Sequence, residues 1–423
     1  MNIKQFKHDM IRGLGSCYLE LSNNESIEQF KSNVMFGCLN PISYEHQMEG
    51  TRSHYIYRLL QFFNDDLFFE EAIIKKLNGR VSNDDLFIHL VERLSHFAND
   101  GSLLSKQSLY QQYDKLITKR HFTDIDAIKL DYLSVLLLGI DGIRFVKYHL
   151  KKVKKVSHKI TTEDLGWLYY SISRKYKEKY TELIQEVYPS YPKEISYPFE
   201  QIDFSFDNLL KHIDDENWFI RFSAFSSRTD DIELVKAIDY VIDTNNIQYR
   251  KQLLQLFKRD SGTNYRISEI IEMIGKYGED VDRLIYHYCR NVKDSRIKKL
   301  GLSLLDNKSS RSYGLQMIIH NYASNDSDLL IKYTKKVKVD YTDSEDWFYL
   351  FSSLLDFLDN KKKNLPTELL FYIYNESLTS YKREHAFDIM KKRGIIDIIT
   401  LTEAQYDSDF DISNKAKRII KKK

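Results

Sequence analysis

The sequence is poor in the residues that break a chain into short pieces: its 423 residues include only 5 Pro and 15 Gly. Many short strands joined by tight hairpins would need more of both, so the composition argues against a sandwich or barrel and favours helices. Cysteine is scarcer still. Cys17, Cys38 and Cys289 are odd in number, far apart and outside any C-x-x-C pair. They argue against a disulfide framework or a thiolate zinc site and fit a reducing compartment. No excess of charge of one sign is present either. The formal net charge is +2, so nothing in bulk draws the chain to nucleic acid or a membrane, and such binding would need a local patch. Long apolar runs are also missing. The longest, Leu133 to Ile140, has eight residues, against the roughly 20 that span a bilayer. The first residues, Met1 to Asp9, reach an acidic side chain before any apolar run. No secretory signal is read there, and a cytoplasmic protein with no membrane association is expected.

Core-forming residues are abundant. Apolar residues make up 42% and aromatic ones 13%, including 30 Tyr, beside 29% charged residues, which places the chain in the globular class. Its length exceeds what one compact core supports, so it predicts several domains or an elongated repeat architecture. Helical period runs from end to end, as in Ile267/Ile270/Ile271/Ile274 and Phe351/Leu354/Leu355/Leu358. The clearest alternating run, Lys336 to Val339, is too short to build a sheet on. One literal repeat stands out: Asn64-Asp65-Asp66-Leu67-Phe68 returns as Asn83-Asp84-Asp85-Leu86-Phe87. Asn and Asp cap free amides and suit the positive end of the helix dipole, so each copy predicts a helix start followed by an apolar face.

The C-terminal half carries a looser pattern, a basic residue followed three positions later by a small or apolar one. It occurs at Arg221/Ala224, Arg250/Leu253, Lys298/Gly301 and Arg383/Ala386. Ile220 to Ala224 and Lys382 to Ala386 resemble the second-helix signature of HEAT repeats, and the intervals of 29, 48 and 85 residues have a mean near the roughly 40–47 residues of such units if the last spans two units through Tyr349/Ser352. The resemblance covers about residues 205 to 423 and implies an all-α fold, an α-solenoid (superhelix) of HEAT-like antiparallel helix pairs. Three prolines, Pro189, Pro192 and Pro198, must interrupt the helical run. They suggest an N-terminal helical region over 1–187, a Pro-containing junction over 188–203 and a HEAT-like region over 204–423.

Several clusters are candidates for function. The segment Tyr44 to Tyr55 is the densest in titratable groups. Glu49, Arg52 and His54 are read as partner contacts at an interhelical corner; a site of two His (His46, His54) and Glu49 has no metal-binding spacing behind it. Trp218 and Arg221 are read as a second partner-binding pair. The segment Gly142 to Lys159 carries Arg144, Lys147, Lys151, Lys152, Lys154 and Lys155 with no acidic residue, over an apolar face of Ile143/Val146/Leu150/Val153. Such a stripe would neutralise phosphates. Glu200 to Asn246 is acidic, with many carboxylates placed to cap helices. Gly13-Leu14-Gly15 lacks the third glycine and flanking strand of a nucleotide loop and reads as a turn or a close helix contact.

No Ser-His-Asp elbow, kinase signature, metalloprotease helix or zinc pairing occurs at recognisable spacing. With no catalytic residue, metal ligand or cofactor to name, the leading expectation is a non-catalytic scaffold that holds a protein or peptide in the concave face of the solenoid. The alternative is nucleic-acid binding or processing through Lys147, Lys151, Lys152, Lys154 and Lys155. HEAT-like solenoids include the AlkD-like DNA glycosylases, which need aromatics flanking a carboxylate in a basic cleft. Here Trp167, Trp218 and Trp347 are dispersed and the surroundings of Trp218 are acidic.

Overall fold

A computed structural model describes residues 1–44, 50, 52–79, 81, 84–156, 160–161, 163–176, 205–214, 225, 231–256, 264–340, 346–360 and 365–422. The junction over 188–203, with Glu49, Trp218 and Arg221, lies outside these. Among the described residues every regular element is helical: 23 α-helices and three short 3-10 segments. The alternating run at Lys336 to Val339 is irregular backbone. No helix among the described residues is long and apolar enough to cross a membrane.

The repeated pentapeptide does open a helix twice, at Asp66–Asn78 and at Asp84–Asn99. In the first copy, however, Asp65 does not cap. Its carboxylate instead takes the Lys31 ammonium at 2.8 Å. Caps of the expected kind appear elsewhere. Thr123 and Asp126 form a reciprocal capping box at the start of Asp124–Asp141, closing two amides that would otherwise be open.

The chain divides into two compact units. The first comprises Met1–Ser196, Ser377–Glu384 and Gly394–Lys423; the second comprises Tyr197–Glu376 and His385–Arg393. In the first, the helices Lys31–Leu39, Ser53–Leu60, Asp84–Asn99, Asp124–Asp141 and Gly166–Tyr176 touch in succession. Asp66–Asn78, Leu103–Ile117 and Ile143–Val153 lie between the last four of these, and most contacts join a helix to its neighbour in sequence or to the next but one. Asp84–Asn99 is the hub, apolar on the face that carries Phe87, Leu90, Val91 and Leu94. In the second unit the same succession joins Ile247–Leu256, Glu279–Cys289, Arg311–His320 and Asp346–Leu358. The periodic set Phe351/Leu354/Leu355/Leu358 is wholly buried there. Ser295–Leu304 and Arg311–His320 approach most closely where Gly301 faces Gly314: a Cβ on Gly314 would lie 2.5 Å from the Gly301 carbonyl oxygen.

The first unit is also closed by its C-terminal segments. Ser408 donates its amide to the Gly13 carbonyl at 2.8 Å, and Tyr406 stacks on Tyr18 at 4.4 Å with the Arg58 guanidinium 4.5 Å from the Tyr18 ring. Gly13 ends helix Ile3–Arg12 in the left-handed conformation. Gly15 lies so close to the Glu403 carbonyl that no side chain fits between. The Gly-x-Gly motif is thus both a turn and a close contact. At the base of the closure Arg383 and Asp407 form an ion pair at 2.7 Å with both side chains fully buried.

Candidate functional site

Of the corner residues, Arg52 and His54 are described. Arg52 sits in the left-handed region just before helix Ser53–Leu60. Its buried guanidinium donates to the carbonyls of Ile11, Ile42 and Leu378, tying the N-terminal helices to the C-terminal segment. His54, the second residue of that helix, lies 5.6 Å from His96, which stacks on Tyr57 at 5.1 Å. Burial, with the nearby Arg58, lowers the His54 pKa from its ordinary value. Burial likewise pushes His96 down to about 4. Both rings are therefore neutral at physiological pH.

The basic segment forms helix Ile143–Val153. Its inner face carries Phe145, Val146, His149 and Val153, while Ile143 is exposed. This differs from the expected Ile143/Val146/Leu150/Val153 by about one position. The reason is His149, a polar residue that periodicity counts as outward but that two tyrosines satisfy inside. Its Nδ1 lies 2.8 Å from the Tyr113 hydroxyl and its Nε2 lies 3.1 Å from the Tyr169 hydroxyl. A neutral imidazole offers one donor and one acceptor, so it completes a chain of hydrogen bonds across three helices. Burial pushes its pKa down to about 3. On the outer face Lys152 is committed to Asp114 at 2.8 Å. Arg144, Lys147, Lys151, Lys154 and Lys155 are exposed, with no carboxylate partner among the described residues.

Beside this helix lies a feature that periodicity hides. Helix Asp124–Asp141 buries Ala127, Leu130 and Leu133 but turns Ile125 and Ile128 outward. Helix Gly166–Tyr176 buries Leu168, Tyr169 and Ile172 but leaves Trp167 73% and Tyr170 55% exposed. The buried Asp131 carboxylate joins the two helices by accepting the Trp167 amide at 2.9 Å and the Leu168 amide at 2.8 Å. Ile128 stands one turn before Asp131, on the helix that Asp131 ties to the start of Gly166–Tyr176. Each pair reads in sequence like part of a core stripe. Only their exposure in the folded unit shows that they point away from it.

Four carboxylates of the acidic stretch that lie among the described residues are spent on structure. Glu233 accepts the Phe206 amide at 2.6 Å, at the start of helix Phe206–Lys211. Asp214 takes the Tyr249 hydroxyl at 2.6 Å, and Asp239 and Asp243 pair with Arg266. The basic positions of the repeat pattern also tie neighbouring elements together. Arg250 donates to the Val241 and Ile242 carbonyls, capping the end of helix Asp231–Asp243, and Lys298 pairs with Asp326 at 2.7 Å. No protein-family model matches the chain, and no curated protein matches it.

Proposed function

We propose that this protein is a non-catalytic interaction scaffold, a solenoid of HEAT-like helix pairs that holds a protein partner. The recurrent packing of helices on a neighbour in sequence or on the next but one supports the repeat reading, because stacked helix pairs make these contacts. The observation that carries the binding reading is the outward set Ile125, Ile128, Trp167 and Tyr170, in the same unit as a row of cations that have no carboxylate partner among the described residues. Exposed aromatic side chains on rigid helices give contact area at low entropic cost. The cations favour a partner segment that combines apolar anchors with carboxylates.

The row Arg144, Lys147, Lys151, Lys154 and Lys155, without a carboxylate partner among the described residues, favours a second reading, nucleic-acid binding. One experiment separates the two. The tagged full-length chain is used to capture partners from its native extract, with and without nuclease, beside Trp167→Ala/Tyr170→Ala and Lys147→Gln/Lys151→Gln/Lys154→Gln/Lys155→Gln variants. A stoichiometric protein that survives nuclease and is lost with the aromatic variant supports the scaffold. Retention of that protein by the aromatic variant overturns this docking surface. Recovery of nucleic acid, lost steeply with salt and with the lysine variant, supports the second reading.

A further inference from the structure

Three helices of the first unit turn apolar side chains outward in their first turn. Asp66–Asn78 exposes Leu67 and Phe68, Leu103–Ile117 exposes Leu103 and Leu104, and Ile143–Val153 exposes Ile143. Hydrogen bonds hold these helix starts together. The buried Glu70 carboxylate accepts the Ser102 hydroxyl and, at 2.8 Å, the Ser105 amide. Leu103 and Leu104 therefore lie between the two groups that Glu70 holds, and Leu67 stands one turn before Glu70 on its own helix. Asp141 takes the Lys106 ammonium at 2.5 Å and the Tyr110 hydroxyl at 2.8 Å, which brings the start of Ile143–Val153 to the first two turns of Leu103–Ile117. Leu103, Gln107 and Tyr110 line a shallow hollow of about 400 Å³ there. One outward leucine is ordinary, but a group of apolar side chains joined in this way and rimmed by polar ones marks a docking surface.

Charge around this group is unevenly spread, and that selects the partner. Arg144 and Lys147, just beyond Ile143, are exposed and have no carboxylate partner among the described residues. Lys106 and Asp141 neutralise each other, as do Lys31 and Asp65 beside the Phe68 ring. On the side of Asp66–Asn78 the exposed charges are the carboxylates of Asp66, which accepts from Gln61 at 3.2 Å, and Glu71. A partner whose apolar side chains cover Leu67, Leu103 and Leu104 thus gains from carboxylates where it reaches Arg144 and Lys147, and loses from carboxylates beside Asp66 and Glu71.

We propose that these helix starts form a second docking surface, for an amphipathic protein segment that is acidic at one end: its apolar side chains lie on Leu67, Leu103 and Leu104 and its carboxylates on Arg144 and Lys147. The surface shares those two cations with the reading above but none of its apolar residues, so it stands even if Trp167 and Tyr170 bind nothing. The test is fluorescence anisotropy of two labelled helical peptides titrated with the full chain. One has a leucine stripe with glutamates at one end, and the other has lysines in place of the glutamates. The glutamate peptide binds, less tightly as salt is raised, and the lysine peptide binds at least about tenfold more weakly. Leu103→Ser/Leu104→Ser and Arg144→Gln/Lys147→Gln each weaken the glutamate peptide about tenfold, as loss of a main contact does. All four residues are exposed, so these variants keep the fold, which circular dichroism checks. Ile232→Ser, similarly exposed but in the second unit, leaves binding unchanged. No binding of the glutamate peptide up to about 1 mM overturns the proposal. So does equal binding of the lysine peptide, wild-type affinity in the Leu103→Ser/Leu104→Ser variant, or a dimer of the chain that this variant abolishes, which assigns the surface to a second copy.

Discussion

His149 makes the stability of the first unit depend on pH in a way that can be calculated. The folded protein holds the imidazole neutral between Tyr113 and Tyr169, with a pKa pushed from 6.5 to about 3. The unfolded chain exposes it and takes up a proton below its ordinary pKa. Above 6.5 both states are neutral and the residue adds no pH dependence. Between 6.5 and about 3 only the unfolded state is protonated, so stability falls as the pH falls. For this one group the loss is about 2 kcal/mol at pH 5 relative to pH 7.5. Substituting His149→Gln keeps a donor and an acceptor but removes the titration. Urea unfolding followed by circular dichroism at both pH values should then show wild type losing about 2 kcal/mol more than the variant on acidification. His96, itself pushed to about 4, is present in both proteins and cancels. Equal pH dependence in the two, within about 0.5 kcal/mol, would refute the reasoning, because His149 would then titrate alike folded and unfolded.

Three further outcomes follow from packing. Asp407→Asn should destabilise the first unit by roughly 3–5 kcal/mol, since it leaves the fully buried Arg383 without its counter-charge; an Arg383→Met/Asp407→Leu pair should recover much of that loss in the same urea titration. Gly314→Ala should cost about 1–3 kcal/mol, because its Cβ meets the Gly301 backbone. Gly139→Ala, which has open space within helix Asp124–Asp141, should instead gain about 0.5–1 kcal/mol; a melting temperature that moves the same way for both would contradict the contact geometry. Phe87→Ala should cost about 3–5 kcal/mol and Phe68→Ala less than about 1 kcal/mol, measured by denaturant midpoint, because only the first ring is in the core.

The helical class was legible because it depends on local properties. Scarce proline and glycine, the 3.6-residue period and acidic first turns all act within a few residues of one another, and each also holds in the folded chain. The face Phe351/Leu354/Leu355/Leu358 is buried as its spacing implies. Candidate sites were less legible. Arg52 was visible as part of a polar corner, but the contact that employs it comes from Leu378, 326 residues away. The basic helix was visible as a run of lysines. Which of them are spent, as Lys152 is on Asp114, depends on a neighbouring helix. Nothing in the sequence distinguishes Leu103 from a core leucine, because its exposure is a property of the space around it.

The repeated pentapeptide separates the two kinds of information most clearly. The sequence alone determined that both copies begin a helix, since backbone amides and acidic side chains interact within one turn. It could not determine the fate of the phenylalanine that ends each copy. Phe87 is 5% exposed in the hub helix, whereas Phe68 is 47% exposed at the edge of the unit. Burial is set by what packs against a residue, and those partners come from elsewhere in the chain. For the same reason only the tertiary structure decided that the C-terminal segments close the N-terminal helices through Arg52, Tyr406 and the Arg383–Asp407 pair. The contacts of Arg52 and Tyr406 form between residues hundreds of positions apart, the Arg383–Asp407 pair joins two C-terminal segments, and no local pattern in the sequence encodes them.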